Sequence, residues 1–151
     1  MNVNVYSRAK MQEAIEQNTL PKKIAVISFY NEPITFFSKP IDYTGVVDRF
    51  MQINIPDIDE QGLAEFGYTK STFLKEADEI AEFIYAAYND GYDFICQCQF
   101  GFSRSAACAA AILEHFEGRG NEIFSSENHQ PNTLVYEKVL NALNKLDGGE
   151  A

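Results

Sequence analysis

Basic residues are scarce in this chain of 151: 12 lysines and arginines stand against 22 aspartates and glutamates, a formal net charge of −10. A surface of that sign repels polyphosphate backbones, so no nucleic-acid partner is expected and the charge reads as a solvated acidic face. Long apolar runs are also missing. No stretch of about 18 apolar residues is available to span a bilayer, and no membrane partner is expected. The opening Met-Asn-Val-Asn-Val-Tyr lacks a basic leader and a long apolar core, so a cytoplasmic location is expected. Cysteine is limited to Cys96, Cys98 and Cys108, an odd, clustered set that makes a poor disulfide framework and suits a reducing compartment. The two histidines, His115 and His129, have no ligand-like spacing, and a Cys-x-Cys pair alone does not complete a closed zinc site. Neither a metal nor another cofactor is expected.

What remains is the composition of a globular domain, 46% hydrophobic and 23% charged, enough to enclose one core at this length. No repeat or linker divides the chain, so residues 1–151 read as one domain with a frayed tail over 146–151. Val3–Tyr6 reads as a strand, and Ser7 as the cap of a helix with Met11, Ala14 and Ile15 on one face, ended by Pro21. Residues 23–29 are β-branched and almost continuously apolar, the mark of an interior strand in a parallel sheet. A long loop over 31–44 contains Pro33 and Pro40. A third strand lies within 46–55, stopped by Pro56, with an acidic loop over 57–60 behind it.

Phe73, Ala77, Ile80, Ile84 and Ala87 recur at three- and four-residue spacing, which predicts an amphipathic helix over 71–89. A strand over 92–97, a loop and a buried alanine-rich helix over 105–116 follow. A last amphipathic helix, with Val135, Val139, Leu140 and Leu143, comes after Pro131 and Asn132. This alternation predicts an α/β domain whose mainly parallel central sheet is covered by helices on both faces. Ligands of such sheets bind outside the carboxyl ends of the strands, the edge where both Asp57 and Cys98 fall.

The chemistry is concentrated in residues 98–105, Cys-Gln-Phe-Gly-Phe-Ser-Arg-Ser. A loop that enters a helix N-terminus turns backbone N–H groups and the positive end of the helix dipole toward one point. An anion is favoured there, and a thiol is held as thiolate. Each unit of thiol pKa depression needs about 1.4 kcal/mol of preferential thiolate stabilisation, which the helix end and Arg104 can supply together. Arg104 can grip two phosphoryl oxygens at once. Gly101 leaves room where the backbone curves around the anion, and Ser105 can cap the helix and donate to the sulfur. Displacement also needs an acid for the leaving oxygen, and Asp57 and Asp59 both qualify. Asp57, directly after the strand and Pro56, is preferred; the competing reading makes both aspartates turn formers in a solvated loop.

Cys98, Gly101, Arg104 and Ser105 in this register resemble the signature loop of the cysteine-dependent protein tyrosine and dual-specificity phosphatases. The order of acid loop, helix, strand, signature loop and buried helix is similar over about residues 52–116; the flanks, including 131–136, resemble compact bacterial members more loosely. The resemblance implies metal- and cofactor-free hydrolysis of a phosphorylated protein or small phosphomonoester through a phosphocysteine. It makes Cys98 the nucleophile, Arg104 the phosphate clamp, Asp57 the general acid and Ser105 the aid to thiolate departure. The backbone amides of Gln99, Phe100, Gly101, Phe102, Ser103 and Arg104 would cradle the phosphate.

Phosphotyrosine is preferred over a phosphoinositide, because no loop lysine meets a second phosphate. Gln97 departs from the family's usual histidine, which helps keep the thiolate stable. The alternative is therefore a catalytically weak phosphate- or phosphoprotein-binding module. A third reading gives the loop to arsenate or sulfur chemistry with Cys96 as redox partner. Phe100 and Phe102 either line the cleft or pack. Cys96 is read first as a buried small hydrophobe and second as a resolving thiol, Cys108 as a core residue, and the histidines as surface or helix-end residues.

Overall fold

A computed structural model of the chain describes residues 1–31 and 39–149. The apolar runs form β1 (Val3–Tyr6), β2 (Ile24–Tyr30), β3 (Arg49–Asn54) and β4 (Asp93–Gln97), joined in one parallel sheet of order β1-β4-β2-β3. Central position accounts for the nearly unbroken burial of β2 and β4, whereas edge strand β3 alternates between covered and exposed residues. The side-chain period of two divides β2 between two cores. Ala25, Ile27 and Phe29 face one cluster, and Ile24 and Val26 join Met11, Ile41, Tyr43 and Ile95 in the other.

Five helices lie among the described residues: α1 (Arg8–Glu16), α2 (Ala77–Asn89), α3 (Arg104–Glu117), α4 (Asn121–Phe124) and α5 (Thr133–Gly149). The larger core holds residues of α2, α3 and α5, and the smaller one those of α1 and the segment before β3. Both faces of the sheet are thus covered, as expected. Every residue of α3 from Arg104 to Leu113 is buried, and its run of alanines lets the helix backbone pass close to the sheet. No helix among the described residues is long and apolar enough to cross a membrane.

Two expected boundaries move. Helix α2 begins at Ala77 rather than at residue 71. Thr69 and Thr72 bond to each other's backbone, and Leu74 takes φ +51°, so side-chain competition and a left-handed residue hold 69–74 in turns. At the other end, α5 extends to Gly149, into the segment expected to fray, and Leu146 packs against the core. Residues 150 and 151, and 32–38 of the expected long loop with its Pro33, lie outside the described residues.

Candidate active site

The loop after β4 is shaped by its neighbours. Its carbonyls are drawn outward: Gln99 O accepts from Arg8 N (3.0 Å), Phe102 O from Gln130 N (2.9 Å), and Ser103 O from Asn132 N (3.1 Å) and Ala107 N (2.9 Å). None of the amides from Gln99 to Arg104 is bonded to a backbone carbonyl among the described residues, and the Phe102 N–H turns to the Cys98 sulfur. Gly101 (φ +66°) presses on the β1–α1 corner, where an added Cβ would stand 2.7 Å from Ser7 N. Both the left-handed backbone and the close approach therefore demand glycine here.

Cys98 lies at the floor, 3% exposed, with Sγ 3.0 Å from Ser105 Oγ. Burial by itself pushes the thiol up. Hydrogen bonds from the Ser105 hydroxyl and backbone and from the Phe102 backbone, together with the Arg104 charge, reverse this and hold Cys98 below its ordinary value. Ser105 sits inside α3 and does not cap it. The cap position is Ser103, which makes no capping bond because its hydroxyl donates to Asp57 instead. Cys96, two residues earlier, behaves oppositely: its hydrogen bond with Cys108 and complete burial push its thiol well up. All three cysteines are free and buried, and Cys96 and Cys108 sit inside the main core as small apolar residues.

Arg104 enters from the first turn of α3 and is only 6% exposed. Its Nη1 donates to Ile55 O (2.8 Å) and Asn31 Oδ1 (3.0 Å), while its buried Nε has no partner among the described residues. A buried guanidinium that spends one terminal nitrogen on the protein and keeps Nε free is set to receive an anion from the Nε side. Asp57 Oδ1 accepts from Ser103 Oγ (2.8 Å) and Asn132 Nδ2 (2.8 Å), so the acidic loop is tied directly to the cysteine loop. Asp59 instead caps the 3₁₀ turn Glu60–Gly62, accepting from Gly62 N at 3.0 Å. The turn-forming role considered for both aspartates thus falls to Asp59.

Asn132 and Asn31 have no signal in the sequence beyond residue type. Asn132 is buried and serves three elements: Nδ2 also donates to Ile58 O (2.9 Å), and Oδ1 accepts from Val135 N (3.1 Å) at the start of α5. Phe100 and Phe102 are 80% and 43% exposed, so neither packs in the core. Phe102 borders the Asp57 cleft of about 550 Å³, and Phe100 lines a separate, smaller cavity with Arg104 and Gln99. His115 bonds to Asn144 (2.8 Å) and to the Tyr85 hydroxyl on the outer side of α3, away from this loop.

Gln97 is 4% exposed, and both ends of its amide are bonded. Nε2 donates to Cys98 O (2.9 Å), and Oε1 accepts from Tyr43 Oη (2.8 Å) and from Ser28 Oγ (2.5 Å), the latter directly opposite on β2. Because a carbonyl only accepts, the amide face toward Cys98 must be the nitrogen. Burial pushes Tyr43 up to about 12, with smaller opposing effects from Ser28 and the Arg8 charge, so the hydroxyl remains a donor across the working pH range. The glutamine thus pins the Cys98 peptide through a neutral network. Gln97→Leu would strand two buried hydroxyls and a carbonyl, costing about 1–3 kcal/mol and lowering the melting temperature by several degrees. An unchanged thermal midpoint would show that the network contributes nothing.

No family model matches the sequence, and no curated protein matches it. Solved structures do. PTPMT1 in complex with PI(5)P is similar at TM-score 0.57 and 13% identity, covering 99% of this chain and 95% of that one. Human DUSP28 is similar at TM-score 0.57 and 14% identity, covering 97% and 94%. Human tyrosine phosphatase-like serine/threonine/tyrosine-interacting protein is similar at TM-score 0.53 and 15% identity, covering 95% and 86%. At these identities the likeness is one of fold: the chain has the fold of the tyrosine and dual-specificity phosphatases.

Proposed function

We propose that this chain is a cysteine-based phosphomonoester hydrolase working through a phosphocysteine, without a metal. The observation that carries the reading is the unpartnered, buried Arg104 Nε on the same loop as a thiol held below its ordinary value. In this reading the loop amides and Arg104 bind the phosphoryl group, and Cys98 attacks phosphorus as thiolate while the P–O bond to the leaving group breaks. Asp57 gives that oxygen its proton. A water deprotonated by Asp57 then attacks the phosphocysteine, and Ser105 donates to the departing sulfur. The substrate is a phosphorylated protein or a small phosphomonoester.

Turnover rises with pH as Cys98 ionises, with a midpoint below that of an ordinary thiol, because the depressed value keeps thiolate present at lower pH. Asp57→Asn tests the acid. It should slow alkyl phosphates by about 10²-fold or more and slow an activated nitrophenyl ester much less, since a good leaving group needs no proton. An equal loss with both esters, or the same pattern from Asp59→Asn alone, would remove Asp57 from that role.

A phosphate-binding module without turnover is the second reading, favoured by the fold's occurrence in an interacting protein described as phosphatase-like. Phosphate binding without any aryl phosphate turnover across pH, in the presence of reductant, would support it.

A further inference from the structure

The turns before α2 and the outer side of α5 enclose a groove of about 600 Å³ that shares no lining residue with the Asp57 cleft, although Thr133 borders the one and Leu134 the other. Four of the chain's 12 basic residues line it, Lys70, Lys75, Lys138 and Lys145, against two of its 22 carboxylates, Asp78 and Glu137. The charge ratio of the whole chain is inverted here. Leu74, Leu134 and Ala142 are buried beneath these charges and Ala77 is half-buried, so the bottom of the groove is apolar.

Local sequence builds both walls. On α5, Val135, Val139 and Leu143 belong to the core, and Leu134, Lys138, Asn141 and Lys145, at the adjoining three- and four-residue spacing, run along the groove. On the other wall the Thr69–Thr72 turn and left-handed Leu74 keep Lys70 and Lys75 out of α2, which starts only at Ala77. The small side chains of Ala77 and Ala142 leave room that larger ones would fill. Lys70 pairs with Glu60 (2.8 Å) and Lys145 with Asp78 (3.4 Å), but these side chains are 65% to 73% exposed, and such surface pairs exchange easily for other carboxylates. Among the described residues, Lys75 and Lys138 are in no ion pair.

We infer that this groove docks a short acidic segment of a protein partner, with one apolar side chain seated on Leu74 and Leu134 and carboxylates on either side of it meeting the lysines. From Leu134 to Lys145 the helix rises about 16 Å, a length that about five extended residues cover. A peptide also brings amide N–H groups to Asp78 and Glu137, which stand among the lysines; a row of phosphates has none to give. An anionic membrane would face the molecule's whole charge of −10, whereas a short segment in the groove feels chiefly the charges within about 8 Å. The docking needs no phosphate and goes beyond the phosphatase reading.

The test uses the full chain and the fluorescence anisotropy of a labelled, unphosphorylated peptide with two glutamates on each side of one leucine. It should bind at least about tenfold more tightly than the same peptide with glutamines, and more weakly when serine replaces the leucine. Salt should weaken it. Lys75→Glu and Lys138→Glu together should abolish binding, and Lys75→Arg with Lys138→Arg should keep it. Both double variants should retain the parent's thermal midpoint and its aryl phosphate turnover, since neither lysine lines the cleft. An acidic peptide held no better than its glutamine version, or held equally by the double glutamate variant, overturns the docking while the phosphatase reading stands. Lysine-dependent capture on phosphatidylserine vesicles without a peptide preference would overturn the peptide in favour of a membrane, and lysine-dependent self-association in sedimentation would overturn it in favour of a second copy. Peptide binding with no turnover would support the docking and count against the phosphatase reading alone.

Discussion

Cys98→Ser is expected to abolish aryl phosphate turnover, by about 10⁴-fold or more, while inorganic phosphate or vanadate still binds. The contrast follows from the division of labour in the loop. In the proposed mechanism, binding falls to the loop amides and the Arg104 guanidinium, and of these only the Phe102 N–H bonds the residue-98 side chain. Reaction needs a sulfur anion, and the donors from Ser105 and Phe102 that favour a thiolate cannot ionise a serine hydroxyl at neutral pH. The measurement pairs steady-state kinetics with calorimetric phosphate titration of the same variant. Undiminished turnover would remove Cys98 from the mechanism. Lost binding with an intact fold would show that the thiol itself holds the anion.

Arg104→Lys should cost about 10³-fold in turnover, with weakened phosphate inhibition, despite preserving the charge. Arg104 does two things at once: Nη1 holds Ile55 O just after β3 and Asn31 just after β2, and the buried Nε has no protein partner among the described residues. Lysine has one nitrogen. If it bonds Ile55 O, it leaves the phosphate; if it follows the phosphate, the residue preceding Pro56 and Asp57 loses its tether. Measuring kcat, KM and the inhibition constant of phosphate separates these contributions. Retention of activity within tenfold would mean that charge alone suffices and that the fork geometry is irrelevant.

The elements were largely legible because their periods are strong. Buried β2 and β4 announce themselves as apolar runs, and the alanines of α3 as a helix that must lie close to something. Where local competition governs, the pattern misled: Thr69, Thr72 and Leu74 hold turns where the apolar spacing continues into α2. Serine chemistry misled at the loop, since Ser103 and Ser105 are equivalent cap candidates by type. Only the arrival of Asp57 at one and Cys98 Sγ at the other assigns them.

The local register of Cys98, Gly101, Arg104 and Ser105 between a strand and a helix was determined by the sequence alone, because a loop at a helix N-terminus is built from consecutive residues. Long-range partners were decided only by tertiary structure. Asn132 reaches Asp57 across 75 positions, Arg104 reaches Ile55 across 49, and Gln97 finds Ser28 across 69. Arg8 comes beside the loop because β1 pairs with β4, placing the start of α1 next to the residues that follow Gln97. Such contacts depend on the strand order β1-β4-β2-β3, and strand order is a property of the packed sheet that no window along the chain contains.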